Sequence, residues 1–436
     1  MEIDYNVIPK IVLLALSFLI VYFFAYRKIL YSVVDPLFIW VFTTAFSSVL
    51  VLDVLSDWND IIHFFASQAC LCIGMHFGRY VFTRKNLKEL RVDYIINIED
   101  FEILRSTTYL LLCIYILSNV FIGYSKGYAL FSDVPTESKI ANFQNGFGIF
   151  RKISWSAGTF VSTSLFFLFL TENRRKDLFF LFIVVFFSSL EGSKSAIFQI
   201  AVSAGIVIYH PYFLNKKRLI NSFNRYLPIL VVATFFVFFL VLAKENADKD
   251  EVIFAFVRRL LYSADSVLYY YLPVNVYYFK DFDFFDFVHR IFNPLLGFLR
   301  IQPYMEAPGN IMVENIKVAI DSDNVTVGPN TPFYIEGRIY FNYWISFLYS
   351  AALGYLFIFI RQSYFRIKRS SAFFFVFSAS FVHFSSSLII DVNLAITQCF
   401  DLIFFVLPFY VLTSLAISKK LKVNVPSRWL RFFLTP

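Results

Sequence analysis

Apolar residues occur in long runs along this chain, and short polar segments separate the runs. Most runs have 17 to 22 residues and almost no charge. A helix of about 20 residues is long enough to cross the roughly 30 Å hydrocarbon layer of a membrane. The pattern therefore predicts about 11 transmembrane helices, at 7–26, 36–52, 61–82, 106–123, 155–171, 178–190, 196–210, 227–243, 341–360, 372–390 and 399–417.

The composition favours the same fold class. Hydrophobic residues make up 58% of the 436 residues, and the mean hydropathy is +0.64. Soluble domains contain only about 45–50% apolar residues. The 59 phenylalanines are spread through every segment, as expected for packing and lipid-facing side chains. We predict an all-α, polytopic integral membrane protein.

The placement of charge predicts an orientation. The net charge is +8, and the basic residues cluster in short connections, at 27–28, 83–91, 173–176, 216–218, 361–369 and 418–422. The connections at 52–60 and 391–393 are acidic or poor in basic residues. Basic connections remain in the cytoplasm, so the N-terminus is predicted outside and the C-terminus inside. This distribution indicates membrane lipids rather than nucleic acid as the partner.

The connections divide the chain into three regions. These are eight helices with a short hairpin (178–210) in 1–243, a large external region in 244–340, and three helices with a cytoplasmic tail in 341–436. The external region has its own helical periodicity, which places on one helix face Arg258, Tyr262, Asp265 and Tyr269. Long connections with apolar helices of their own commonly carry the function of a protein.

The hairpin at 178–210 is unusual because its apex is charged. Its arms have 13 and 15 residues, or roughly 20 to 23 Å of helix, which falls short of a full span. We expect the apex to lie below the outer interface, with a tight turn at Gly192. Ser193, Lys194 and Ser195 then form an anion-binding pocket at the start of the next helix. A second interpretation is that Glu191 and Lys194 pair and only cap the hairpin.

Metal-binding residues are not evident in the sequence. The four cysteines lie inside apolar runs without a His or Cys at metal-ligand spacing. The "DFD" segment at 281–283 lies in an aromatic run and is interpreted as an interfacial strip. His383 lies within a predicted helix, and we expect it to hydrogen-bond to neighbouring hydroxyls. We predict no metal and no other cofactor.

Segment 331–355, "TPFYIEGRIYFNYWISFLYSAALGY", contains Gly337, Tyr340, Asn342 and Gly354 in the spacing GxxYxNxxxxxxxxxxxG. It follows a large external region rich in Arg and Tyr, and a hairpin with a "GS-basic-S" apex. This layout resembles the O-antigen polymerase family, whose members join oligosaccharide repeat units on undecaprenyl pyrophosphate. The resemblance implies a GT-C-like glycosyltransferase of the bacterial inner membrane that acts on the periplasmic side without metal.

The implied reaction releases a pyrophosphate, which cationic side chains hold and neutralise. For pyrophosphate binding the candidates are Ser193, Lys194, Ser195, Arg258, Arg259 and Arg338. For catalysis the candidates are Asp265, Glu336 and Arg338, with one of the carboxylates as a base. For substrate binding the candidates are Arg290, Arg300, Tyr340 and Asn342.

Each candidate also has a structural interpretation. Arg258 and Arg259 can extend to lipid headgroups from a surface helix, and Arg338 can anchor the start of a span. Asp265 can lie on a hydrated face, and Arg290 can have no role in substrate binding. These alternatives stay open at the level of sequence.

Three other functions fit the same layout. A ligase would move the finished glycan from undecaprenyl pyrophosphate to another acceptor. A lipid-linked oligosaccharide flippase or transporter would do no covalent chemistry, and we expect its polar residues at mid-membrane on broken helices. An assembly partner in polysaccharide export would need no cationic pocket. The family also suggests a separate protein that regulates chain length.

Overall fold

The fold is a bundle of helices. The computed structural model describes residues 8–84, 95–97, 100–132, 135, 138, 141–142, 147–192, 196–214, 217–245, 252–320, 328–367 and 369–424. Within these ranges, nine helices are long and apolar enough to cross a membrane. The protein is therefore a multi-pass membrane protein, as the apolar runs predict.

The first half of the chain contains helices α1 to α9. Their bounds are α1 Ile8–Tyr26, α2 Pro36–Val54, α3 Trp58–Arg84, α4 Phe101–Lys126, α5 Gly148–Glu172, α6 Arg175–Leu190, α7 Ala196–Ile208, α8 Pro211–Leu214 and α9 Lys217–Glu245. Helices α6 and α7 form the predicted hairpin and have only 16 and 13 residues. They are shorter than the nine spanning helices, as the short arms predict.

The second half begins with six short helices and ends with three long ones. Their bounds are α10 Val252–Leu261, α11 Asp265–Tyr270, α12 Pro273–Tyr278, α13 Phe284–Phe298, α14 Pro308–Ile320, α15 Phe333–Tyr340, α16 Ile345–Phe365, α17 Ala372–Ser385 and α18 Val392–Asn424. The 3₁₀ turn Ser386–Ile389 joins the last two. We call the end of the bundle that carries 252–320 and 328–344 the loop end, and the opposite end the basic end.

One small sheet accompanies the helices at the basic end. Strand β1 (Ile95–Asn97) pairs in parallel with strand β2 (Arg369–Ser371). The polar connections that contain these strands carry no apolar alternation, so the sequence predicts helices alone.

The single helical face predicted through Arg258 and Asp265 is interrupted. Helix α10 ends at Leu261, a 3₁₀ turn covers Tyr262–Ala264, and α11 begins at Asp265. The Ser263 hydroxyl donates a hydrogen bond to the Leu260 carbonyl at 2.7 Å. A serine side chain that bonds nearby backbone favours such an interruption, so the prediction of one continuous helix is wrong.

Helices α3 and α16 pack at very short range. Gly74 and Gly78 on α3 form a GxxxG spacing, and Gly354 on α16 faces them. A Cβ at Gly354 would clash with the backbone carbonyl of Leu71. Small residues at such spacing allow two membrane helices to approach closely. This close contact joins the first and second halves of the chain.

The apolar core divides into two main clusters. One contains residues of α1 to α3, α11, α15 and α16, and Trp40 belongs to it. The other contains residues of α4 to α7, α17 and α18, including Val184 and Val202. A cavity touches members of both clusters, so it lies at the junction between the two halves of the core.

Candidate functional site

The hairpin apex closes α6 with a left-handed turn. Gly192 has φ +72°, a conformation that favours glycine, and this confirms the predicted tight turn. A Cβ on Gly192 would lie 3.3 Å from the Ala129 Cβ. Ser193, Lys194 and Ser195 lie outside the described residues, so the anion pocket that they are predicted to form stays a prediction.

A cavity of about 350 Å³ lies among α2, α5, α6, α7, α17 and the start of α18, and Glu191 of the apex lines it. We call it the main cavity. Its volume lies within the range of about 300 to 1,000 Å³ that is common for ligand sites. Six Ser, two Thr, two Gln, two Trp, one His and one Glu contribute to its lining. Among the described residues that line it there is no Lys or Arg.

The middle of the main cavity carries a buried imidazole. Ser203 Oγ lies 3.0 Å from His383 Nδ1, which confirms the expected hydrogen bond between His383 and a hydroxyl. His383 is 7% exposed and Ser203 is 2% exposed. Both belong to helices that lie within the bundle, and the cavity therefore extends well below the loop end.

Two basic residues beside the main cavity were missed at the level of sequence. The Arg151 guanidinium carbon lies 4.2 Å from the ring centroid of Trp155, which lines the cavity. Arg151 also interacts electrostatically with Glu191. Lys152 Nζ lies 2.8 Å from the Asp401 carboxylate. The signal for these residues was the "FRK" of 150–152, a basic pair in the connection between the runs predicted at 106–123 and 155–171.

Arg338 lies apart from this site. Its Nη2 forms an ion pair with Asp60 Oδ1 at 3.0 Å, and its guanidinium carbon lies 5.2 Å from the Tyr343 ring centroid. It is not among the residues that line the main cavity. Asn342 Oδ1 accepts a hydrogen bond from the backbone N–H of Ile345 at 2.9 Å. Both side chains thus contact protein groups at the start of α16.

Glu336 is fully buried beside Arg338 in sequence. The Tyr349 hydroxyl donates a hydrogen bond to Glu336 Oε2 at 2.6 Å. Burial raises the pKa of Glu336 well above its usual range, and the nearby Asp391 carboxylate raises it further. Burial also raises the pKa of Asp391. A carboxyl group that retains its proton is a poor base at neutral pH, so Glu336 is less suited to the predicted role than its position in the motif indicates.

Two further candidates lie near Glu336. Tyr340 is 2% exposed, and its ring packs 5.4 Å from that of Phe287. Arg290 is 8% exposed and donates from Nη1 to the Glu306 carbonyl at 2.6 Å. Tyr340 Oη and Arg290 Nε are buried without a hydrogen-bond partner in the described part of the chain. Their role in substrate binding stays a prediction.

The other candidates lie at the loop end, where the three arginines are exposed and Asp265 is half-buried. Arg258 and Arg259 are exposed on α10, while Val257 packs with residues of α1 and α2. Arg300 is exposed and has φ +57°. Burial raises the pKa of Asp265 to about 6, and the Arg259 guanidinium opposes this rise. The described residues therefore place these candidates around the loop end rather than in one pocket.

Comparison with protein-family models, with curated proteins and with solved structures yields no match for this chain.

Proposed function

We propose that this protein joins undecaprenyl-pyrophosphate-linked oligosaccharide repeat units into a surface polysaccharide, at the outer face of the bacterial inner membrane. The observation that supports the proposal best is the main cavity, which is lined by hydroxyl, amide and indole groups and has Arg151 beside it. The family resemblance of the hairpin, the external region and the motif at 337–354 supports the same reaction.

The lining suits an uncharged sugar. Sugar hydroxyls both donate and accept hydrogen bonds, and Ser, Thr and Gln side chains provide both kinds of partner. Trp40 and Trp155 provide apolar faces of about the size of a sugar ring. A pyrophosphate fits the interior poorly, because an anion would meet Glu191 there without a cation among the described lining residues.

The pyrophosphate would instead bind beside the cavity. Arginine binds phosphate groups through paired N–H donors. No carboxylate of the described residues forms an ion pair with Arg151, and its stacking on Trp155 fixes the guanidinium near the cavity. Lys152 is less available, because it is bonded to Asp401. Lys194 remains the second predicted phosphate ligand.

The reaction then follows from these positions. An acceptor hydroxyl attacks the anomeric carbon of the donor sugar, a new C–O bond forms, and the bond to the pyrophosphate oxygen breaks. Arg151 stabilises the negative charge that develops on the leaving group. Glu191 lines the cavity, and we assign to it the role of the base that accepts the hydroxyl proton. Glu336 and Asp265 do not line the cavity.

One observation favours a second candidate function, transport. The main cavity lies among helices of the bundle, and two of these are the short helices of the hairpin. Polar residues on short or broken helices are typical of transporters. A ligase would use the same cavity and the same cation, so it differs from a polymerase only in its acceptor.

The decisive experiment is a gel of surface polysaccharide from a strain that lacks this gene. For a polymerase, the strain should show core plus one repeat unit, and the wild-type copy should restore a ladder. Arg151→Ala and Glu191→Gln should remain at one unit at normal membrane levels, because each removes a group that acts on the reacting atoms. Lys194→Ala tests the predicted second phosphate ligand.

Arg225→Ala is the matched control, because Arg225 is exposed on α9, away from the main cavity. It should restore the full ladder. A deletion strain that lacks even the single unit on core would point to ligation or transport instead. Full ladders with both Arg151→Ala and Glu191→Gln would exclude the site proposed for the polymerase.

A further inference from the structure

A buried ion pair lies beneath the main cavity, on its basic-end side. Asp35 is 0% exposed and Arg361 is 4% exposed. Arg361 Nη2 lies 2.6 Å from Asp35 Oδ2, and Nη1 lies 3.1 Å from Oδ1, so the pair is bidentate. Arg361 Nη2 also donates to the Ile29 carbonyl at 3.0 Å. The pair thus connects the segment between α1 and α2 to α16.

A second, smaller cavity lies next to the ion pair and shares two lining residues with the main cavity. It has a volume of about 10 Å³, close to that needed for one water molecule. Asp35 and Arg361 line it, and so do Pro36 and Ser386. Pro36 and Ser386 also line the main cavity. Pro36 and Ser386 therefore lie between the main cavity and the small cavity that the ion pair lines.

Stability alone is a weak reason for this pair. Removing two charges from water costs several kcal/mol, and apolar residues often replace buried ion pairs without loss. A pair that can form and break is better suited to a closure between two states. The ring of Tyr31 lies 4.7 Å from the Arg361 guanidinium carbon and packs against Tyr209, so aromatic rings surround the pair.

We propose that the main cavity is the loop-end half of a passage through the bundle for uncharged, hydroxyl-bearing solutes, and that the Asp35–Arg361 pair closes it toward the basic end. The class of solute follows from the lining, which has hydroxyl and amide groups and no Lys or Arg among its described residues. This proposal does not rest on glycosyl transfer. A polymerase whose cavity ends blindly at Ser386 would contradict it.

Cysteine accessibility tests the passage. The four native cysteines are replaced, and Ser386→Cys is introduced as the reporter. A small, membrane-impermeant thiol reagent is then added to vesicles of each orientation. Tyr124→Cys, at an exposed position near the end of α4, and Lys28→Cys, at the basic end, identify the two faces. With the ion pair intact, the reporter should react from the loop end only.

The variant Asp35→Asn should open the basic end. Asparagine preserves the cap at the start of α2, where Asp35 Oδ1 accepts from the Leu37 N–H at 3.0 Å, but it removes the charge that holds Arg361. We expect labelling from the basic face to rise by at least about tenfold. Arg361→Lys, which retains the charge but loses the bidentate geometry, should give a smaller rise and provides a second test if Asp35→Asn does not fold.

Arg105→Gln is the matched control, because it breaks an ion pair with Glu172 that does not line either cavity. It should leave labelling unchanged. Three results would overturn the proposal. These are labelling of Ser386→Cys from both faces while the pair is intact, labelling from neither face, and no gain from the basic face in a folded Asp35→Asn or Arg361→Lys variant.

Discussion

Two polar regions of the bundle differ in what their polar groups face. Around α15 (Phe333–Tyr340), Arg338 pairs with Asp60 and Glu336 accepts from Tyr349. In the main cavity, Ser, Gln and His side chains line a space of about 350 Å³, and Arg151 beside it stacks on Trp155. The first region carries the family-like motif, whereas the second has the geometry of a binding site.

The comparison shows that a charged residue that is conspicuous in the sequence is not always available to bind a ligand. A basic residue at the end of a predicted span is conspicuous in a sequence, but it can already form an ion pair with a neighbouring carboxylate. The polar groups of the main cavity, such as Ser203 bonded to His383, line open space, so a ligand or water can add to the hydrogen bonds that they make within the protein. Arg338 therefore serves as a structural reference in the tests below, and Arg151 as the functional one.

The largest expected effect on stability is at the close contact between α3 and α16. Gly354→Ala places a methyl group against the Leu71 carbonyl, and backbone on both helices must move. We expect a loss of about 3 kcal/mol or more in the free energy of unfolding. The yield of monodisperse protein and its thermal unfolding in detergent measure the effect.

Gly158→Ala is the matched change in the cavity region. Its Cβ would lie 3.0 Å from the Tyr115 ring, and a ring can shift by a few tenths of an ångström. We expect a loss of about 1 kcal/mol. Equal losses of stability in the two variants would show that the two regions tolerate an added methyl group equally well.

A smaller difference in stability is expected between variants of Arg338 and Arg151. Arg338→Ala leaves the Asp60 carboxylate without its ion-pair partner, and we expect a loss of about 2 kcal/mol. Adding Asp60→Asn should recover part of this loss, because the unpaired charge is removed. Arg151→Ala should cost less, about 1 kcal/mol or less, because it removes the stacking contact with Trp155 but breaks no ion pair among the described residues.

The free energy of unfolding of each variant is then compared with the polysaccharide ladder that it produces. Arg338→Ala should lose polymer only in proportion to its lower membrane level, whereas Arg151→Ala should lose it at a normal level. If a stably folded Arg338→Ala protein made no polymer, Arg338 would have a direct role and the difference between the regions would disappear.

Much of the fold follows from the apolar runs, but helix ends do not. The run predicted at 155–171 is the apolar part of α5, which begins at Gly148. The apolar run ends near Lys152, whereas the helix continues past it, and the Lys152 ammonium pairs with Asp401 of α18. The run predicted at 399–417 omits the polar first turns of α18 (Val392–Asn424). A pairing between two distant helices is not visible in either one alone.

The main cavity could not be predicted from the sequence. Its lining residues come from six helices, and each contributes only a few hydroxyl or amide groups. Isolated Ser and Thr are ordinary in membrane helices, because the hydroxyl can bond a carbonyl one turn earlier. Ser162 and Ser203 became recognisable as lining residues only when their helices were placed side by side. The charged apex of the hairpin is evident in the sequence, but the cavity that Glu191 of the apex lines is not.

The smallest expected effect concerns Asp265, a carboxyl at the start of α11 that does not line the main cavity. Its pKa is raised from 3.8 to about 6 by burial, so the folded state binds the proton more tightly than the unfolded state. The stability that this provides is complete below about pH 4 and is lost as the pH rises through 6. Lowering the pH from 6.5 to 5.5 should therefore stabilise the protein by about 1 kcal/mol or less.

Thermal unfolding in detergent between pH 4.5 and 7.5 measures this dependence. Asp265→Asn should reduce the slope, whereas Asp281→Asn, at an exposed aspartate, should leave it unchanged. Because Asp265 does not line the main cavity, the same change should leave the polysaccharide ladder intact. If a folded Asp265→Asn protein made no polymer, the catalytic base would be Asp265 at the loop end and not Glu191.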